Sequence, residues 1–325
     1  MKEFYIENND AGQRLDRFVA KAAPLLPSSL SQKYIRLKRI KVNGKRAERD
    51  YKLCFGDRVE MYVNDEFFQK LNVQNAYLKI NDPNLNIIFE DDNIMLLNKP
   101  QGISCHSDET RDYRTLIAQV MAYLYQTGKW NPSTENSFTP ALCNRIDRNT
   151  SGIVIAAKNA GALRILNEKI KNHEIDKYYL AAVFGKPNPA QTRLEGYIFK
   201  DAVLNRVYVS KNSRPGAKTA IMEYSTISTT DELSLIACKL ITGRTHQIRA
   251  QMADIGHPLL GDGKYGSEKR NKAYGEKYQA LCSYKLTFNF SGESGILEYL
   301  NGQSFVILNI DFVKKYFQSI DISQW

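Results

Sequence analysis

Asn144-Arg145-Ile146-Asp147-Arg148-Asn149-Thr150-Ser151-Gly152 sets one carboxylate between two arginines, and the apolar run Ile153-Val154-Ile155-Ala156-Ala157 follows at once. A carboxylate held at the mouth of a buried strand can do chemistry. Taken alone, an Asp among Asn, Thr, Ser and Gly is a turn or cap residue whose oxygens bond nearby amides. Hydrolysis by paired carboxylates would need a second acid close to Asp147, and the sequence offers no convincing partner.

The elements that must hold this stretch are mostly strands. Ile87–Phe89, Ile94–Leu97, Ile153–Ala157, Tyr178–Phe184, Val203–Val209, Ala220–Ile227, Leu233–Leu240, Ser283–Phe290 and Phe305–Leu308 all read as strands. Helical spacing appears at Leu116, Val120, Met121 and Leu124, and again at Leu163, Leu166 and Ile170. Consecutive strands with few helices between them predict an α+β domain with a mixed, largely antiparallel central sheet and flanking helices. The 325 residues suggest two domains, and 43% hydrophobic against 25% charged residues is ordinary globular composition.

The net charge of +10 favours an anionic partner. It is concentrated in residues 1–63, where seven lysines and seven arginines face eight acidic residues. There, Arg14 to Lys21 reads as a helix, and Ser28-Ser29-Leu30-Ser31 caps a basic helix running through Lys33 to Arg39. Leu30, Tyr34 and Leu37 share one face of it, which turns the cations to the other. Ile40 to Lys45 reads as a strand into an Asn-Gly hairpin turn, and Gly56-Asp57 opens a second strand over Arg58–Val63. Residues 64–84 read as a linker in which Phe67 and Phe68 dock on a neighbour.

Five scattered cysteines (Cys54, Cys105, Cys143, Cys238, Cys282) show no C-x-x-C pair, which predicts a reduced, cytoplasmic compartment. No stretch approaches a membrane span, and the first ten residues lack the apolar core of a secretory signal. His106, His246 and His257 do not form a metal set, so no metal is expected.

Arg14-Leu15-Asp16, the basic helix, Val42-Asn43-Gly44 and Gly56-Asp57 together resemble the alpha-L RNA-binding domain, a small α/β module of ribosomal origin. The resemblance implies RNA contact through Arg14, Arg17, Lys33, Arg36, Arg39, Lys41, Lys45 and Arg46. It sets domain limits at 1–63 for this module, 64–84 for the linker and 85–325 for a catalytic domain.

Four further segments stand in order around Asp147: Leu97 to His106, Asp176 to Gly185, Leu240 to Met252 and Gly256 to Gly266. With the opening stretch they resemble the RluA-type pseudouridine synthases, isomerases that convert uridine to pseudouridine within ribosomal or transfer RNA. The resemblance implies that Asp147 is the catalytic carboxylate, acting as nucleophile on the sugar or as base toward a ribose proton, and leaves both routes open. It implies that Arg249 pairs with Asp147, that Tyr179 packs on the flipped base, and that Arg145 enters the vacated stack or holds a phosphate. Lys99, Pro100, Gly102, Arg244, His246 and Gln247 fall in the loops that support them. No cofactor is expected; the implied partner is RNA, ribosomal first and transfer RNA second, and the chain is expected to be a monomer. A non-catalytic RNA-binding or ribosome-assembly factor is the competing reading, against which the intact Asp147, Tyr179 and Arg249 speak. Three positions depart from the family, which usually has His at Asn144 and often at Gln251 and Cys282; these changes bear on hydrogen bonding around the site and on substrate choice.

Overall fold

Alternation along the strands decides which part of the chain packs on which face. The computed structural model describes residues 1–68, 72–107, 114–201, 204, 206–318 and 320–322.

The N-terminal module comprises β1 (Lys2–Tyr5), α1 (Leu15–Ala22), α2 (Ser28–Arg36), β2 (Ile40–Val42) and β3 (Arg58–Met61). Its sheet has the order β1-β3-β2, antiparallel throughout. Two helices and a two-stranded hairpin were expected; β1 is the strand that composition did not reveal. Asn43 and Gly44 both take positive φ, 52° and 73°, as a tight hairpin turn requires, and Val42 pairs with Lys45. That turn closes on a single bridge, however, and the strand that pairs with β2 is β3.

The basic helix ends at Arg36, three residues earlier than expected, because Lys38 turns left-handed with φ 61°. Ser31 and Ile35 are buried, and Leu30 and Tyr34 of the expected face pack partly buried on the same core, but Leu37 is left exposed. Leu15, Phe18, Val19, Ile35, Ile40, Val59 and Met61 form the module's own core.

Phe67 and Phe68, in a 3-10 turn over Asp65–Phe68, pack on that core, with Phe68 6.0 Å from Phe4. A second 3-10 segment, Asn72–Lys79, ends against the other domain: Tyr77 is buried 5.4 Å from Trp130 and 5.5 Å from Tyr125. The expected linker is thus anchored at both ends.

The larger domain runs β4 (Ile87–Glu90), β5 (Ile94–Lys99), α3 (Leu116–Gln126), β6 (Ala141–Leu142), β7 (Ser151–Ala157), α4 (Ala160–Lys171), β8 (Ile175–Phe184), β9 (Gln191–Asp201) and β10 (Arg206–Ser210). It continues through β11 (Lys218–Thr229), β12 (Leu233–Leu240), α5 (Gln247–Asp254), α6 (Glu268–Tyr274), β13 (Leu281–Phe288), β14 (Ser304–Val306) and α7 (Asp311–Tyr316). One sheet takes all the strands, in the order β10-β9-β11-β12-β8-β13-β7-β5-β4, with β14 beside β13 and β6 beside β7. Among the described residues only β13 and β7 pair in parallel, so the sheet is mixed and largely antiparallel as expected.

The strand read at Val203–Val209 is found at Arg206–Ser210; residues 202, 203 and 205 lie outside the described ones. The long β9 was not foreseen. Gln191-Thr192-Arg193-Leu194-Glu195-Gly196 is too polar to show as a strand, and only Ile198 of β9 reaches a small core with Val207, Ala220 and Ala250.

Both sheet faces are covered. Ile153, Ile155 and Ala157 of β7 pack with Leu166 of α4 and Phe312 of α7, whereas Val154 and Ala156 pack with Val120 and Leu124 of α3 and Ile248 and Met252 of α5. The second face carries the candidate site. Among the described residues no helix is long and apolar enough to cross a membrane.

Candidate active site

The turn that presents Asp147 is built from its neighbours' backbone. Thr150 N–H donates to the Asp147 carbonyl at 3.1 Å, Ile146 is buried, and the Asp147 side chain keeps a quarter of its surface open. At Gly152, with φ +116°, an added Cβ would stand 2.2 Å from the Ser283 carbonyl oxygen. Glycine is required there because β7 and β13 meet in parallel at that residue.

Lys99 braces the turn from below. Its side chain is fully buried at the end of β5, and its Nζ donates to the carbonyls of Pro100 (2.9 Å), Ile103 (2.8 Å) and Arg148 (3.0 Å). Three acceptors occupy all three N–H groups of an ammonium. Burial nevertheless lowers the Lys99 pKa to about 8, with Cys105 and Asp147 opposing the fall. Gly102 N–H to Arg148 O and Arg148 Nε to Gly102 O, each 2.9 Å, tie the same two loops together. Lys99, Pro100 and Gly102 therefore shape the loop on which the Asp147 turn rests.

Arg249 reaches Asp147 from α5. Its Nη1 donates to Asp147 Oδ2 at 2.9 Å, while Nε and Nη2 donate to the two oxygens of Asp262 at 2.7 and 3.0 Å. Asp262 is wholly buried and also accepts the backbone amides of Lys264 (2.9 Å) and Tyr265 (3.1 Å). Burial opposes the Arg249 charge, but the hydrogen bonds and attraction of Asp262, reinforced by Asp147, outweigh it and raise its pKa. Burial likewise opposes the Asp262 charge, and Arg249 more than reverses that. One guanidinium thus serves two carboxylates: a buried one that orients it bidentately, and an open one that it orients in turn. Asp262 lies within the Gly256 to Gly266 segment, but nothing in its sequence spacing points at α5. This is the second acid beside Asp147 that the sequence did not reveal. Both its oxygens are engaged and none of its surface is open, so it is not placed to work on a substrate.

His246 is the residue before α5, with φ 53°. Its Nδ1 lies 2.9 Å from the Tyr265 hydroxyl and its Nε2 3.8 Å from Asp147 Oδ2. The Tyr265 oxygen also accepts the Val207 amide at 3.0 Å. Burial lowers the His246 pKa against the pull of Asp147, which keeps the ring neutral. Gln247 is structural: it accepts from Thr242 Oγ1 (2.9 Å) and Arg244 N (3.0 Å) and donates to Ile221 O (3.0 Å). Arg244 donates through Nε to Thr219 O at 2.8 Å.

Tyr178 and Tyr179 of β8 point to opposite faces, and Tyr179 joins the face of Val154 and Ile248 while Tyr178 packs on the other. Burial pushes the Tyr179 phenol up, with the Asp147 charge adding, so it stays protonated. Arg145 is exposed at the rim, where burial and its charge lower the pKa of His106.

The three departures from the family pattern are structural neighbours of the site. Asn144 Oδ1 accepts from Ile155 N (2.8 Å) and Nδ2 donates to Ile153 O (3.4 Å), which extends the β6–β7 ladder by one side chain. Cys282 is buried beside Ser151, and burial pushes its thiol up to about 12. Gln251 is buried in α5, and its Oε1 has no hydrogen-bond partner among the described residues.

In the N-terminal module Arg17, Lys33, Arg36, Arg39 and Lys45 are exposed. Arg14 pairs with Asp16 at 2.6 Å and Arg46 with Glu48 at 2.9 Å, while Lys41 is half-buried over Tyr62 and Arg39 lies over Tyr34.

The family model for RNA pseudouridylate synthase matches residues 93–254, and the S4 domain model matches residues 13–59. A curated relative from Mycoplasma genitalium, "Uncharacterized RNA pseudouridine synthase MG370", is 34% identical over 291 residues, 88% of each chain. "Ribosomal large subunit pseudouridine synthase C" of Vibrio parahaemolyticus is 29% identical over 83% of this chain and 81% of its own. The solved structure of human RNA Pseudouridylate Synthase Domain Containing 1 shares the fold, with TM-score 0.52 at 18% identity over 73% of this chain and 96% of that one. The chain belongs to the RNA pseudouridine synthase family: it is an RNA isomerase carrying an N-terminal S4 domain.

Proposed function

We propose that this chain isomerises specific uridines of large-subunit ribosomal RNA, working as a cytoplasmic monomer without a cofactor, and that Asp147 is its catalytic carboxylate. The observation that carries the assignment of Asp147 is the shared guanidinium: Arg249, fixed by buried Asp262, holds one open carboxylate in a set orientation. Conversion of uridine breaks the bond from base nitrogen one to the sugar and forms one from ring carbon five. The proton lost from carbon five balances the one gained at nitrogen one, so no oxidant is required. Asp147 serves either by esterifying the anomeric carbon as uracil departs or by taking a ribose proton; both need it ionised.

Tyr179, held as a phenol, offers a stacking plane worth on the order of 1 to 3 kcal/mol to a base that has left its helix. Arg145, exposed at the rim, is suited to the vacated stack or to a phosphate. Lys99, Pro100, Gly102, Arg244, His246 and Gln247 support the loops. In the S4 domain Arg14, Arg17, Lys33, Arg36, Arg39, Lys41, Lys45 and Arg46 engage the phosphate backbone, with residues 1–63 as the binding module and 85–325 as the catalytic domain.

Ribosomal RNA is favoured because relatives such as those of Vibrio parahaemolyticus and Buchnera aphidicola carry the name ribosomal large subunit pseudouridine synthase C. Mapping pseudouridines at nucleotide resolution in RNA from cells with and without the protein tests this. Sites lost from large-subunit RNA support it; loss confined to transfer RNA moves the substrate there.

A further inference from the structure

The S4 domain does not hang from the synthase domain but is clasped to it. Asp10 is buried to 1% exposure although it lies in an N-terminal loop. Its two carboxylate oxygens accept from the Ser137 hydroxyl and from Asn136 Nδ2 at 2.8 Å, both in the loop between α3 and β6. Asn136 Nδ2 also donates to the Tyr5 carbonyl at 2.7 Å, and Gln13 Nε2 donates to Ser137 Oγ at 2.8 Å. Asn9 donates to Glu135 at 2.8 Å, and its Oδ1 accepts the Ala160 amide at 3.0 Å, one of the first-turn N–H groups of α4 that its own helix cannot satisfy.

Both loops are stiffened from behind. Buried Ile6 and Leu15 flank the first, and buried Trp130 and Phe138 flank the second. A polar interface of this kind opens readily between freely moving domains. Here only eight residues separate Phe68, packed on one core, from Tyr77, packed on the other. A tether that short gives an effective concentration in the mM range, enough to keep a weak clasp closed.

The clasp has a direction. Ala160 and residues 135–137 lie at the C-terminal end of β7, whereas Asp147 precedes its N-terminal end. Seven strand residues at about 3.3 Å each put the S4 domain ~20 Å or more from the reacting base. At the seam the Arg164 guanidinium of α4 lies against Gly12, and Lys21 lies within electrostatic reach of Arg164 and Arg17, so cations of both domains form one exposed strip.

We infer that Asp10, Asn9, Gln13 and Ser137 are positioning residues that hold the S4 domain at a fixed distance and orientation from Asp147, so that a uridine is chosen by its placement relative to a second RNA element gripped by the basic strip. The specificity part rests on the isomerase reading above; the clasp itself does not.

The test uses the full chain and has two arms. Nitroxides at native Cys54 and at Lys171→Cys, both exposed positions, should give one narrow distance distribution that broadens in the Asp10→Ala/Ser137→Ala variant. A broad distribution in the parent, or none of this broadening, overturns the clasp. With transcribed large-subunit ribosomal RNA the variant should raise KM about tenfold with kcat held within about twofold, and Ser137→Thr should stay near the parent. A short uridine-containing stem-loop, which cannot span both domains, should be isomerised equally by all; an equal loss on both RNAs refutes the positioning role. If no RNA is isomerised by any form, the enzymatic reading fails and the distance distribution alone decides the clasp.

Discussion

Asp147 and Asp262 share Arg249, yet removing them should have very different consequences for stability. Asp262→Asn places an amide donor, or leaves a poorer acceptor, against Nε and Nη2 of a guanidinium only 7% exposed. The backbone amides of Lys264 and Tyr265 keep an oxygen, so the loss falls on the charged pair. Breaking one partner of a buried ion pair costs roughly 3 to 5 kcal/mol, because the surviving charge stays buried. For a domain of this size that lowers Tm by on the order of 10 °C. Asp147→Asn removes one hydrogen bond from a carboxylate that is a quarter open to water, and Arg249 keeps both bonds to Asp262. Its cost should be about 1 kcal/mol or less. Urea unfolding of the two variants, with m compared to show that the same surface is exposed, measures the difference. Equal losses in the two variants, or an Asp262→Asn chain as stable as the parent, would refute the assignment of Asp262 as the group that fixes Arg249.

Asp147→Ala should abolish uridine isomerisation while RNA affinity stays within a few fold, since Arg249 remains anchored by Asp262; residual turnover at the parent rate removes Asp147 from the mechanism. Lys99→Met fills the buried stem but strands the carbonyls of Pro100 and Ile103, while that of Arg148 keeps the Gly102 amide, at a cost of roughly 1 to 3 kcal/mol for each acceptor left without a donor, and calorimetry showing an unchanged Tm would contradict the bracing role. Replacing Lys33, Arg36 and Arg39 together by Ala should reduce the slope of log affinity against log salt by about 2 to 3, measured with labelled ribosomal RNA; an unaltered slope shows that these cations do not touch phosphate. Glu174, paired with Lys169 at 2.8 Å, has its pKa held down at about 2 by that hydrogen bond and by the Ser291 amide. Its folded pKa lies below the free value of 4.5, so its contribution is present above pH 4.5 and is lost as pH falls toward 2. The stability gap between the parent and Glu174→Gln should therefore close over that interval, and a constant gap would sink the linkage.

Local pattern alone was enough for most of the strands, for α3 and α4, and for the Asp147 stretch, because a two-residue or 3.6-residue period is a property of neighbours in the chain. Polar strands such as β9, and β1 with its alternating charges, escaped because their stability comes from pairing partners far away in sequence. The same limit applies at the site. The residue types around Asp147 show that a carboxylate stands on a turn before a buried strand, and the family resemblance adds Arg249 and Tyr179. Only the tertiary structure brings Asp262 to the far side of that guanidinium and seats Asp10 against Ser137, 127 residues away. Which side chain meets which across such separations is decided by packing and electrostatics in three dimensions, where the burial of a charge depends on a partner that the local sequence does not contain.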